Sequence, residues 1–308
     1  MKKLITSFVF AVGAICAYAQ SFEYGGLNYN VLSEEEKTCE VVPSYDVSGH
    51  ITVPSTVKYN GGQYTVTSIG DYAFSYCESL TSITLPAGVT SIGNSAFYNC
   101  YTLTSITLPE SITTIENYAF YCCLGLTSIT LPESLTSIGH YAFYYCPGLT
   151  SITLPESLTL IGSYAFYYCG ITSITLPESL TSIGDLAFAM CENLSTVNSY
   201  ATTPPLCGYN NVFYGIPSDA VLHVPVGFKD DYASAYGWSE FNNIVDDLIV
   251  QSGIVEIEDE TETAGGDAAD TVVVYNLQGL RMNISRRSDI NALPSGIYIV
   301  NGNKTLIK

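Results

Sequence analysis

The 308-residue sequence predicts a repeat β/α solenoid: a parallel strand ladder whose coils close through short helical turns, with β-rich caps and a small all-β C-terminal module. Three observations carry this prediction. The segment TSITLPESLTSIG occurs twice unchanged, at residues 127–139 and 172–184. Phe74, Phe97, Phe120, Phe143, Phe166 and Phe188 recur at intervals of 23 residues four times and then 22 once. Cys77, Cys100, Cys123, Cys146, Cys169 and Cys191 each follow three positions later. A fixed period of this length means one supersecondary unit stacked on copies of itself, so function is to be sought on a surface.

Residues 1–19 read as a secretory signal: Lys2 and Lys3 start it, residues 4–18 are mostly apolar, and Ala17-Tyr18-Ala19 supplies the small-x-small cleavage pattern. The segment is not read as a membrane anchor, because its apolar stretch is shorter than the ~20 residues that cross a bilayer; the mature chain then starts at Gln20, with no membrane span expected in it. Cys16 follows Ile15, not the small residue that a lipoprotein signal requires. Residues 20–65 break the period and form an N-terminal β cap, with Asn60-Gly61-Gly62 as a hairpin signal.

Residues 66–198 are the solenoid. In one coil, Leu103-Thr104-Ser105-Ile106-Thr107-Leu108 alternates apolar residues with Ser or Thr as a half-buried strand does, and Pro109 ends it. A second extended run, Ile112-Thr113-Thr114-Ile115, turns at the position that is Gly93 or Gly139 in other coils. Ala-Phe-x-x-Cys then puts Phe and Cys on one face of a helical turn. Leu103, Ile106, Leu108, Ile112, Ile115 and Phe120 are the expected core; so few residues cannot offset the ordering of a coil, so the coils must stack and be capped. Residues 199–250 form the C-terminal cap, with a strand near residues 220–224 and a short helix near 229–235. Residues 251–270 are an acidic linker, and residues 271–308 a β module with a two-residue hairpin turn at Asn301-Gly302.

Composition excludes several functions. The formal net charge is -19, and no Lys or Arg lies between Lys58 and Lys229, so nucleic acid is not an expected partner. His50, His140 and His223 are isolated, none in metal-ligand spacing, and there is no phosphate loop or nucleophile elbow. Repeated like groups do not build a site where unlike groups converge once; neither catalysis nor a cofactor or metal is expected. The cysteine column reads as small buried hydrophobes with free thiols, because in-register side chains on stacked coils point in parallel. Cys39, Cys122 and Cys207 stand outside it, and a bridge among them is left open.

Three repeated columns are candidate binding surfaces. Tyr118, Tyr121, Tyr141, Tyr144, Tyr145, Tyr164, Tyr167 and Tyr168 flank the buried Phe and Cys and predict an exposed aromatic strip, suited to protein or glycan recognition. Ser105, Ser128, Ser151 and Ser173, with Thr107, Thr130, Thr153 and Thr175, form a hydroxyl face on the strand ladder. Glu110, Glu133, Glu156 and Glu178 place one carboxylate per coil.

The pattern Leu-x-x-Ile-x-Leu-Pro, then Ile-Gly-x-x-Ala-Phe-x-x-Cys, over roughly residues 66–197, resembles the BspA-like branch of the leucine-rich repeat proteins. Ala201-Thr202-Thr203-Pro204-Pro205 and Tyr236-Gly237-Trp238-Ser239-Glu240-Phe241 resemble the end-cap of the same proteins. The resemblance implies surface-exposed or secreted bacterial adhesins with extracellular protein or matrix partners, and no catalytic residues. Val274-Tyr275-Asn276-Leu277-Gln278-Gly279, then Leu293-Pro294-Ser295-Gly296-Ile297-Tyr298-Ile299-Val300, resembles the C-terminal sorting module of type IX secretion substrates. The function expected from the whole is an exported interaction protein, with adhesion to host or matrix macromolecules as its role. The alternative is a structural component of the cell envelope without a host ligand.

Overall fold

Each coil has two inward-facing extended runs, and each run pairs in parallel with its counterpart one coil away. The computed structural model describes residues 20–248 and, beyond them, five short strands. The signal-like residues 1–19 lie outside the described residues, as does most of the acidic stretch. One ladder runs from Gly62–Ile69 through Ser91–Ile92, Thr114–Ile115, Ser137–Ile138, Leu160–Ile161 and Ser182–Ile183 to Leu206–Cys207. Its register pairs like with like, Ile115 beside Ile138 and Ile138 beside Ile161. The second ladder, Ser48–Thr52, Ser79–Thr84, Ser105–Thr107 and Ser128–Thr130, pairs Ile83 with Ile106 and Ile106 with Ile129. It lapses at residues 151–153 and resumes as Ser173–Leu176, Thr196–Ser199, Val221–Pro225 and Asn243–Leu248. The lapse immediately precedes the 22-residue interval, where Gly170-Ile171 shortens the coil.

Period-2 alternation with one buried face is what the Ser-Ile-Thr triplets impose, and Leu103, Ile106, Leu108, Ile112, Ile115 and Phe120 are all buried as expected. Hydroxyls flanking the strands bind coil to coil. Thr136 Oγ1 donates to Thr113 O at 3.1 Å, Thr159 Oγ1 to Thr136 O at 3.1 Å, and Ser157 Oγ to Leu135 O at 2.7 Å. The Ser and Thr repetition is thereby used twice, for strand propensity and for a side-chain hydrogen-bond ladder.

The expected helical turns are absent among the described residues of the repeats, where the Ala-Phe-x-x-Cys segments are chained tight turns. The reason is backbone conformation: the residue before Ala and the residue before Cys are both left-handed, with φ 57° at Tyr141 and 56° at Tyr145. A right-handed helix cannot pass through them. Alternate amides instead reach the next coil: Tyr118 N–H to His140 O at 2.9 Å, Phe120 N–H to Ala142 O at 2.8 Å, Cys122 N–H to Tyr144 O at 2.8 Å. The others bond within the turn, as Tyr121 N–H does to Tyr118 O at 3.1 Å. A left-handed non-glycine residue costs about 1–2 kcal/mol, and the matched inter-coil bonds, each worth roughly 0.5–1.5 kcal/mol net, hold it in place. The turns thus form a third ladder.

Inside that ladder the phenylalanines stack, with centroids 5.2 Å apart between Phe97 and Phe120 and again between Phe120 and Phe143. From Cys100 onward each column thiol donates to the Phe carbonyl of the preceding coil, Cys123 Sγ to Phe97 O at 3.2 Å and Cys169 Sγ to Phe143 O at 3.1 Å, while Cys77 Sγ donates to Ser44 O at 3.2 Å. The nine described cysteines, Cys39, Cys122 and Cys207 among them, are free. Where the chain turns after the first ladder, a Cβ on Gly162 would meet Gly139 C and His140 N at 2.6 Å, so the approach of the neighbouring coil favours glycine at this coil, whereas Glu116 occupies the equivalent position two coils earlier.

The caps use different devices. At the N-terminal end, Thr56–Tyr59 and Gly62–Ile69 form an antiparallel hairpin through Asn60 and Gly61, both with positive φ as a type I′ turn needs. The same long strand then starts the first ladder. Ser21–Tyr24, Leu27–Ser33 and Thr38–Val42 cover its edge as an antiparallel sheet, the last strand joining in parallel. At the C-terminal end, Phe213 adds a seventh ring to the phenylalanine stack, 5.7 Å from Phe188. Phe241 meets it edge-on at 4.9 Å and Trp238 is tilted against it at 5.4 Å, closing the column. Trp238 Nε1 donates to Pro205 O at 2.8 Å, and Tyr232, on the short helix Lys229–Ser234, donates to Ala201 O at 2.8 Å.

Beyond residue 248, the strands are Ile254–Glu256, Val274–Asn276, Arg281–Met282, Gly296–Val300 and Asn303–Ile307. The last two pair antiparallel, Ile297 beside Leu306 and Val300 beside Asn303; the predicted turn at Asn301-Gly302 lies outside the described residues. Ile254–Glu256, inside the stretch read as a linker, pairs in parallel with Asn303–Ile307.

Candidate functional site

The outer surface of the third ladder gathers the eight predicted tyrosines into one strip with three columns. Residues before Ala give Tyr118, Tyr141 and Tyr164, stacked at 4.9 and 4.7 Å with interplanar angles of 3° and 5°. Residues after Phe give Tyr121, Tyr144 and Tyr167, stacked at 4.8 and 5.0 Å. Residues before Cys give Tyr145 and Tyr168, 5.0 Å apart. Tilted pairs join the columns, Tyr118 to Tyr121 at 5.9 Å, Tyr141 to Tyr144 at 5.7 Å and Tyr144 to Tyr145 at 6.5 Å. The spacing is that of the coils themselves, about 4.8 Å for paired strands.

Exposure is shared unevenly. Tyr118, Tyr145 and Tyr168 are exposed, while Tyr121, Tyr141, Tyr144, Tyr164 and Tyr167 are half-buried because each ring covers its neighbour's face. The strip therefore presents ring edges and hydroxyls more than open faces. Tyr98 belongs to it, stacking on Tyr121 at 4.7 Å, and Tyr76 reaches Tyr98 at 5.5 Å. Their position beside Phe97 and Cys77 was the available signal. Burial is the main cause that raises the Tyr98, Tyr141 and Tyr144 hydroxyl pKa values and pushes Tyr121 up to about 12, with neighbouring phenols adding to it. At neutral pH these groups are thus neutral and able both to donate and to accept.

Cys122 stands in the third column between Asn99 and Tyr145, partly exposed, and burial pushes its thiol up to about 11. Burial also raises Cys77, Cys100, Cys123 and Cys169, and Cys191 to about 12, which keeps these five thiols protonated as packing groups at neutral pH.

The hydroxyl face is exposed as expected, Ser105 and Thr107 flanking buried Ile106. The glutamates of the third candidate column are solvated, and among the described residues no group of three His, Cys, Asp or Glu side chains could hold a metal. A cleft of about 540 Å³ lies at the N-terminal end, lined by Asn30, Glu40, Gly70, Asp71 and Gly93. Burial, with the Asp71 charge nearby, raises Glu40. Among the described residues the ion pair of Lys37 with Glu34 at 3.0 Å and the hydrogen bond between His223 Nδ1 and Asp247 Oδ1 at 2.8 Å both lie outside the repeats. No described helix is long and apolar enough to cross a membrane.

Residues 67–195 match the family model described as BspA type Leucine rich repeat region, in six copies. No curated protein sequence matches the chain. Among solved structures, a leucine-rich repeat protein of T. pallidum is 27% identical with a TM-score of 0.55, over 65% of this chain and 92% of that one. A leucine-rich repeat protein from Bacteroides ovatus ATCC 8483 is 22% identical, TM-score 0.38, over 77% and 82% of the two chains. A leucine rich cell surface protein from Faecalibacterium prausnitzii A2-165 is 20% identical, TM-score 0.43, over 73% and 94%. The six-copy match is in register with the ladders described above, so residues 67–195 of this chain are similar to the BspA type leucine-rich repeat region.

Proposed function

We propose that this is an exported, non-catalytic repeat protein whose tyrosine strip binds an extracellular protein or glycan, with adhesion to host or matrix macromolecules as its role. The observation that carries the reading is the strip itself: eight phenols held in three stacked columns, with ring centroids 4.7 to 5.0 Å apart along each column. Stacking fixes the rings before a partner arrives, so little side-chain entropy remains to be lost on binding. Tyrosine then offers apolar edge and hydroxyl together, the combination that serves recognition of proteins and sugars. The leucine-rich repeat region supports a protein-interaction role over an enzymatic one. Charge narrows the partner, since a surface without Lys or Arg between residues 58 and 229 has little to offer a polyanion.

Export rests on residues 1–19, and delivery to the surface on the sorting-like residues 271–308. The binding experiment is a panel of isolated matrix proteins and glycans, presented to the full mature chain. Saturable binding to a panel member, lost when Tyr144, Tyr145, Tyr167 and Tyr168 become Ser in a variant that still unfolds cooperatively, supports the reading; binding unchanged by that variant removes the strip from it. Delivery is tested by cell fractionation with and without residues 271–308. Periplasmic retention of both forms would sink the surface assignment.

A further inference from the structure

We propose that the tyrosine columns are a site of oxidative cross-linking, in which peroxide and a peroxidase join phenols of successive coils as dityrosine. The feature that points there is adjacency. Tyr121 and Tyr144 lie 4.8 Å apart at 3° and Tyr118 and Tyr141 4.9 Å apart at 3°, each pair on neighbouring coils. Coupling needs two phenoxyl radicals side by side, and exposure alone does not supply that. Tyr209 and Tyr45 are the more accessible rings, at 94% and 66%, yet among the described residues neither belongs to a ring pair.

The step balances without further reactants. Hydrogen peroxide is reduced to two waters by taking one electron and one proton from each of two phenols. The two phenoxyl radicals join by a carbon–carbon bond between ring positions ortho to oxygen. Each displaced ortho hydrogen moves to its own oxygen, restoring both phenols. At micromolar protein, a neighbour held at an effective concentration in the millimolar range is favoured over one on another molecule by roughly 1,000-fold. The links would tie coil to coil along the outside, parallel to the hydrogen-bond ladder beneath them.

Glutamate spacing makes the products readable. Cleavage after Glu116, Glu133, Glu156 and Glu178 puts the tyrosines of successive coils on separate peptides, 117–133, 134–156 and 157–178. The full chain at micromolar concentration is treated with hydrogen peroxide and a haem peroxidase, digested after glutamate and analysed by mass spectrometry. The expected result is peptide 117–133 joined to 134–156, and 134–156 to 157–178, within monomeric protein and at a yield independent of concentration. Changing Tyr118, Tyr121, Tyr141, Tyr144, Tyr164 and Tyr167 to Phe, which keeps the stacked rings, removes most of these products. Dityrosine found only between chains or at Tyr45 and Tyr209 overturns the proposal, and so does no dityrosine where a tyrosine peptide under the same conditions yields it.

Discussion

The residue that best shows how this fold is held is Cys122, which sits in a left-handed backbone with φ 55° and has neither the aromatic stack nor the buried carbonyl contact of its neighbours. Asn99, one coil earlier, occupies the same position at φ 59°. Asparagine tolerates this conformation better than other side chains because its short amide can bond locally. Cys122→Asn is therefore expected to stabilise the protein by about 0.5–1 kcal/mol, read as a higher urea midpoint with an unchanged slope; a lower midpoint would mean that the thiol contributes packing which the strain does not outweigh. Asn99 was also the one polar hint in the sequence that the turns are left-handed. Tyrosine carries no such signal, so the strain at Tyr118, Tyr141 and Tyr145 could not be read from residue type. The core was legible because burial leaves its mark in composition: Phe120, Cys123 and Ile115 repeat without exception in register, and all are buried.

At the scale of the element, the two strand ladders were legible and the third was not. Phe and Cys three apart fit one face of a helical turn and equally fit a chain of tight turns, and spacing cannot separate the two. What separates them is the neighbouring coil, which accepts Phe120 N–H at Ala142 O and so withdraws that amide from any helix. The same dependence on the neighbour governs the glycine after the first ladder. A methyl group on Gly162 meets backbone atoms that no side-chain rotation can move, so Gly162→Ala is expected to cost roughly 1–3 kcal/mol, more than the ordinary gain from removing a glycine. Denaturant titration checks it, and a stabilised variant would contradict the close approach. The tyrosine strip was legible as eight residues, but its extension through Tyr98 and Tyr76 and the stacking that half-buries five of its rings depend on coil-to-coil geometry. Phe213 escaped notice for a simpler reason: it follows Phe188 by 25 residues, outside the period.

For the molecule as a whole, stability comes from repetition of like contacts without ion pairs in the repeats, and this sets its response to pH. Cys77, Cys100, Cys123, Cys169 and Cys191 have folded-state pKa values raised by burial, Cys191 to about 12. A thiol whose folded pKa lies above its unfolded value of about 8.5 contributes stability that is fully present below the unfolded value and lost as pH rises toward the folded one. The urea midpoint should thus hold through neutral pH and fall progressively above about pH 8.5; a midpoint that rises there would contradict buried, protonated thiols. The proposed binding belongs to this scale as well, because the strip exists only when several coils are stacked. The most direct test is hydroxyl-radical footprinting of the full mature chain alone and saturated with a matrix protein or glycan that it binds. The strip reading predicts protection concentrated on Tyr118, Tyr145 and Tyr168, with the hydroxyl face at Ser105 and Thr107 unchanged. Protection of that hydroxyl face, with the three tyrosines as reactive as in the free protein, would contradict it.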